Sequence, residues 1–146
     1  MRALLQKVSQ AEVRVHGQLI GRIGPGLLVL LGISQRATCE RAAWLADKVV
    51  NLRIFPDERD KLNFSLKDIG GELLLVSQFT LWAETINGNR PSFSRAAGVE
   101  LALPLYEFFR EHITGYGVTV EQEKFGAKMQ VELINYGPVT ILLEAP

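Results

Sequence analysis

Gly26-Leu27-Leu28-Val29-Leu30-Leu31-Gly32 is the stretch on which the fold turns. Five apolar residues in succession leave no polar face for solvent, the pattern of a strand covered on both sides. Such a strand sits centrally in a sheet, and its flanks supply the rest. Upstream, residues 12–15 alternate polar and apolar, His16-Gly17-Gln18 signals a turn, and residues 19–23 begin a second strand, so a hairpin is expected. Gly24-Pro25 separates it from the apolar run. Downstream, Thr38 is placed to cap a helix with Glu40 in its first turn, and Ala42, Leu45, Ala46, Val49 and Val50 recur at helical spacing. That predicts an amphipathic helix over residues 38–52.

Residues 53–67 read as a strand end plus a loop, since Pro56-Asp57-Glu58-Arg59-Asp60 is turn-like. A second core strand is expected over residues 72–79, opened by Gly70-Gly71, and an irregular polar stretch over 83–97. A second helix is expected over residues 99–113, with Leu101, Leu105, Phe108 and Phe109 on its buried side. Pro104 predicts either a helix start near Leu103 or a kink. Residues 118–120, 129–134 and 139–143 close the chain as three strands. The fold class expected is α+β: one mixed domain over residues 1–146, predominantly sheet, with two amphipathic helices packed on it.

Composition bounds the function. The chain has 146 residues, 47% of them hydrophobic, and 16 Lys+Arg balance 16 Asp+Glu to a net charge of zero. A chain of that size buries roughly 68–70% of its unfolded surface without staples. Zero charge argues against a general nucleic-acid or membrane binder, though not against a local basic patch. Cys39 is the single cysteine, so neither an intrachain disulfide nor a cysteine-based zinc site is available, and a reducing compartment fits. The opening residues lack the apolar run of a signal peptide, and the longest apolar stretch is too short to span a bilayer, so a cytoplasmic protein is expected.

His16 and His112 are the only histidines, and neither has an acidic or histidine partner at ligand spacing. No metal site and no Ser-His-Asp triad is expected; both histidines read as solvated or capping. The glycines of residues 21–26 fit no phosphate-binding fingerprint, and Glu121, Glu123 and Glu132 suggest paired carboxylates, but alternation along exposed strand faces explains them as well. Two segments stand apart. Ser77-Gln78-Phe79-Thr80-Leu81 ends a core strand with polar residues around one Phe, at a place where scaffolds present reactive groups, or is merely a strand edge. Asn135-Tyr136-Gly137-Pro138-Val139-Thr140 joins the last two strands and reads as a hairpin turn, although an X-Pro bond is the one place where a cis peptide is cheap, at about 0.5–1 kcal/mol.

These two segments, with Leu4-Leu5-Gln6-Lys7-Val8, the Gly26 to Gly32 run, Arg53-Ile54-Phe55, Asn89-Arg90-Pro91-Ser92-Phe93-Ser94 and Phe125-Gly126-Ala127-Lys128-Met129-Gln130-Val131, resemble the D-aminoacyl-tRNA deacylase family along essentially the whole chain. The resemblance implies a homodimeric hydrolase that needs no cofactor and removes D-amino acids mischarged onto tRNA, with no membrane or DNA partner. It implies that Ser77, Gln78, Phe79 and Thr80 are catalytic and line the pocket of one subunit. Gly137 and Pro138, joined by a cis bond, would enter that pocket from the other subunit. Phe125, Ala127 and Met129 join the implied substrate-binding set, and Arg90, Arg95, Lys124 and Lys128 are candidates for phosphate contacts with the acceptor end. Two positions depart from the family's pattern: Lys128, where an acidic residue is common, and Tyr136, where a small or polar one is.

The expected chemistry is ester hydrolysis by positioning, with the Phe79 and Thr80 N–H groups as an oxyanion hole, Gln78 on the ribose end and Thr80 Oγ holding water. A non-catalytic dimeric binding module is the competing expectation. A nuclease or DNA-associated factor is disfavoured by the missing metal ligands and basic surplus.

Overall fold

The computed structural model describes residues Met1 to Pro146. In chain order the elements are β1 (Arg2–Val15), β2 (Gln18–Ile23), β3 (Gly26–Gly32), α1 (Cys39–Asn51), β4 (Phe55–Pro56), β5 (Leu62–Phe64), α2 (Leu66–Ile69), β6 (Glu72–Ser77), a 3-10 turn (Phe79–Trp82), α3 (Val99–Thr114), β7 (Val120–Gln122) and β8 (Gln130–Glu144). Strand β1 is the spine. On one edge it pairs antiparallel with β3 along its first half and with β2 along its second. On the other edge β8 runs antiparallel along both halves. Beyond β3 the sheet continues in parallel through β6 and β7. It then curls back, and Gly21 of β2 meets β7 so closely that a Cβ there would lie 3.3 Å from the Gln122 carbonyl oxygen. The result is a mixed sheet close to a barrel.

Strand β3 is covered on both faces, as its unbroken apolar run requires. Leu27, Val29 and Leu31 point into the large cluster under α1 and α3, while Leu28 joins Val8, Val13, Ile23, Leu74 and Val76 in a smaller cluster on the opposite face. Helix α1 begins as expected: Thr38 accepts from the Arg41 N–H, and Ala42, Leu45, Ala46, Val49 and Val50 are its buried residues.

Several expectations need correction. The chain has three helices, the third being α2, started by a reciprocal capping box between Ser65 and Asp68 and ended by Gly70 in the left-handed conformation. Residues 53–67 hold a small two-stranded sheet, β4 with β5. Helix α3 runs through Pro104, which is tolerated because it lies on the exposed face, where water can satisfy the freed Glu100 carbonyl. On that helix Tyr106 is fully buried, its hydroxyl donating to Leu75 O at 3.1 Å, whereas Leu101 is exposed and Phe108 half-buried. The last two expected strands are one. No hairpin reverses the chain at Gly137-Pro138, because both halves of β8 pair with the same continuous neighbour, β1.

Candidate active site

Strand β6 lies parallel to β3 with Ser77 opposite Leu31, and the Gln78 N–H carries the ladder one step further by donating to Leu31 O at 2.8 Å. There the chain tightens into the Phe79–Trp82 turn, closed by Leu81 N–H on Gln78 O (3.2 Å) and Ala83 N–H on Thr80 O (3.1 Å). The first N–H groups of such a turn have no partner within it, so those of Phe79 and Thr80 are available to a ligand. Trp82 anchors the far end and is buried against Gly32. Gly32 is obligatory for this contact. A Cβ there would lie 2.9 Å from Leu81 Cβ, 3.1 Å from Gln78 O and 3.2 Å from Trp82 Cδ1.

Above the turn, Phe79 is 56% exposed and meets Phe93 edge-to-face at 5.0 Å. Ser77 and Phe79 open onto a cleft of ≈ 180 Å³ whose other walls include Leu31, Ile33, Phe125 and Gly126. The Gln78 amide donates to Thr80 Oγ1. That bond occupies a lone pair of the hydroxyl and leaves its O–H free to donate; no side chain is bonded to Thr80 as a base. The arrangement can polarise a carbonyl and hold water.

Beneath the turn lies a residue that strand alternation places on an exposed face. Glu123 is 6% exposed. One carboxylate oxygen accepts the Ser77 N–H and the other makes no hydrogen bond. Burial raises this carboxyl above its ordinary value, against the hydrogen bonding with Ser77, which lowers it. Strand alternation alone could not reveal this, because β7 ends at Gln122, one residue before Glu123. His112, too, is more than solvated or capping: it bonds Asp47 at 2.7 Å across α1 and α3, and Tyr116 donates to the same oxygen at 2.6 Å. The Tyr116 hydrogen bond first, and His112 after it, hold the Asp47 carboxyl below its usual range.

The second segment is a four-residue bulge. Gln6 of β1 faces Thr140, and Val8 faces Asn135, so Lys7 alone stands opposite Tyr136-Gly137-Pro138-Val139. Asn135 staples it. Its amide donates to Val139 O (3.2 Å) and Thr140 Oγ1 (2.9 Å), and its carbonyl accepts the Val139 N–H (2.9 Å). The Gly137–Pro138 bond is cis, Gly137 has φ 148, and both residues are exposed. Lys7 lies 5.5 Å from the Tyr136 ring.

The chain brings together Ser77, Phe79 and Phe125, with Gln78 and Thr80 in the same turn. Gly137 and Pro138 do not line that cleft within one protomer; Tyr136 borders another with Lys7, Val8 and Phe55. Ala127 is half-buried outside the cleft walls, and Met129 packs on the smaller cluster and borders a third hollow with Lys128, Arg14 and His16. Arg90 and Lys124 are exposed on loops, and Arg95 stacks 5.0 Å from the Trp82 ring.

A sheet of this shape with an apolar cleft at a strand end, floored by backbone donors, has a counterpart among known proteins. Residues 4–144 match the family described as D-Tyr-tRNA(Tyr) deacylase. A D-aminoacyl-tRNA deacylase of Roseiflexus castenholzii is 54% identical over 99% of this chain and 92% of its own. One of Chlorobaculum tepidum is 54% identical over 100% and 98%. Among solved structures, the c-Myc DNA Unwinding Element Binding Protein superposes with a TM-score of 0.93 at 42% identity, covering 100% of this chain and 99% of that one. A probable eukaryotic D-amino acid tRNA deacylase shares the fold at a TM-score of 0.83 and 19% identity, each chain covered to 97%. The relatives define a class of hydrolases acting on aminoacyl-tRNA. The chain belongs to the D-aminoacyl-tRNA deacylase family.

Proposed function

We propose that the protein is a chiral proofreading enzyme of translation in the cytoplasm, active as a homodimer in which Gly137-Pro138 of one protomer closes the Ser77-Phe79 cleft of its partner. The observation that carries the reading is the placement of the two segments: the bulge is rigidly stapled yet points outward, and its own protomer's cleft lacks it. Strand β8 supports a second copy. It is a 15-residue edge strand paired on one side only, with Ile134, Tyr136 and Leu142 exposed on its outer face. Long unpaired edges invite pairing, and a twofold interface places the bulge of each protomer on the other.

In the cleft, the Phe79 and Thr80 N–H groups stabilise the oxyanion that forms when water attacks the ester carbonyl. The Thr80 hydroxyl orients that water, Gln78 supports the ribose end, and the substrate's own 2′-hydroxyl relays the proton. Thr80 has no base beside it, which favours water-holding over a covalent intermediate. The Gly137 and Pro138 carbonyls receive the substrate ammonium and fill the space an L side chain needs. A clash of that kind discriminates more strongly than a missing contact. Glycine, lacking Cβ, escapes such rejection, so glycyl-tRNA is cleaved as well.

The solved neighbour named for a DNA unwinding element shares this fold. The zero net charge here favours a partner contacted over a small area, the acceptor end of a tRNA, rather than duplex DNA. The test is release of amino acid from matched D-, L- and glycyl-tRNA. Release of the D and glycyl groups with L spared is expected. Release from none would make the protein a binding module of the same fold, and an inert glycyl-tRNA would overturn the steric account.

A further inference from the structure

A second cleft, of ≈ 440 Å³, lies beside the first and has the opposite chemistry. Its walls carry Arg36, Arg41 and Arg95 with the polar side chains of Ser34, Gln35 and Ser94, and neither Asp nor Glu lines it. In a chain of zero net charge that is a concentrated positive site. Neither Arg36 nor Arg95 pairs with a carboxylate, whereas Arg2, Arg14, Arg22 and Arg110 each pair with a Glu. Two of the three guanidinium groups are also held in place. Arg41 donates through Nε to Pro146 O at 2.9 Å and through a terminal nitrogen to Arg36 O, and Arg95 stacks on Trp82. Guanidinium groups preset in this way match phosphate oxygens.

The two clefts share their walls. Residues 33–35 and 95–97 form a short ladder, with Ala97 N–H on Ile33 O at 2.9 Å and Gln35 N–H on Arg95 O at 3.1 Å. Ile33 and Ala97 face the apolar cleft; Ser34, Gln35 and Arg95 face the cationic one. The 3-10 turn spans both, since Phe79 borders the first and Trp82 the second.

We propose that the Arg36-Arg41-Arg95 cleft binds a backbone phosphate at the single-stranded acceptor end of the aminoacyl-tRNA and so docks the ester over the adjoining turn. The inference rests on the deacylase reading and deepens it. It assigns phosphate recognition to a built cleft next to the chemistry, in place of Arg90, Lys124 and Lys128, which lie outside its walls.

The test compares D-aminoacyl-tRNA with a D-aminoacyl ester of adenosine, which carries no phosphate, using wild type and Arg36→Ala/Arg95→Gln. The expected result is a KM for the tRNA substrate raised about tenfold relative to any change on the adenosine ester. The salt dependence of tRNA binding should flatten by about 0.7 in log-log slope for each phosphate the variant no longer neutralises. Equal impairment on both substrates would mean that the arginines only support the fold, and an unaltered tRNA KM would place the phosphate elsewhere; either overturns the proposal. Inorganic phosphate that competes in wild type while the variant's tRNA KM stays unaltered would mark a free-anion site and also overturn it. Should wild type hydrolyse neither substrate, the deacylase reading is what fails. Titration with uncharged tRNA then decides the cleft, the variant binding about tenfold more weakly if it holds.

Discussion

The turn after β6 and the bulge in β8 each interrupt a strand, and they are secured by different means. The turn is held from inside: Trp82 is buried, Gly32 lets the backbone settle on β3, and the Glu123 carboxylate grips Ser77 from below. The bulge is held from within itself, by one asparagine making three hydrogen bonds over four residues. A feature fixed by the core can serve only its own protomer. A feature fixed by its own side chain can stand clear of the core, as the exposed Gly137 and Pro138 do, and the proposed service to a neighbour requires that exposure.

The largest effect expected is at Gly32. A Cβ 2.9 Å from Leu81 Cβ makes the 3-10 turn shift on β3, and misplacing oxyanion donors by about 1 Å costs about 10²-fold in turnover. Hydrolysis of D-aminoacyl-tRNA by Gly32→Ala should therefore fall about 10²-fold, with far-ultraviolet circular dichroism retained; full activity would mean the turn is not the oxyanion site. Asn135→Ala tests the other region. It removes three hydrogen bonds from a half-exposed site, about 1–3 kcal/mol of stability. Its diagnostic effect is on selectivity: the ratio of D to L hydrolysis should fall about tenfold. A drop in D hydrolysis with selectivity intact would mean that the bulge does not screen chirality. Thr80→Ala should reduce kcat less than Gly32→Ala, by about tenfold, since water can be held by remaining groups. Complete loss of turnover with binding intact would point to covalent catalysis instead.

The same contrast shows what the sequence could disclose. Periodicity disclosed β3, α1 and its cap, because burial there follows one face of one element. It missed the first half of β1, where Lys7 occupies an inward position and spoils the alternation. It divided β8 at Gly137-Pro138, since residues that make a reversing turn also make a bulge and only the partner strand decides between them. Residues 77–80 drew notice as a polar strand end, but the grip of Glu123 and the need for Gly32 depend on contacts 46 residues apart and on the neighbouring strand. Nothing local to either residue signals them.

The smallest effect separates the two anchors by their protons. Glu123 titrates and Asn135 does not. With its folded carboxyl raised above the ordinary 4.5, Glu123 favours the folded state while protonated. That contribution is fully present below pH 4.5 and is lost as pH rises through the raised value, so the folded protein binds the extra proton in this window. Glu123→Gln keeps an acceptor for the Ser77 N–H and abolishes the titration. Carboxyls whose values are lowered, Glu12, Asp47, Asp57 and Asp68, are common to both proteins and cancel in their difference. Urea unfolding from about pH 4 to 8 should thus show wild-type stability declining relative to the variant as pH rises, by no more than about 1.4 kcal/mol per pH unit, the limit for one proton. A difference flat across that range would mean that water reaches the carboxylate and that the turn is gripped by an ordinary surface charge, which would remove the asymmetry between the two regions.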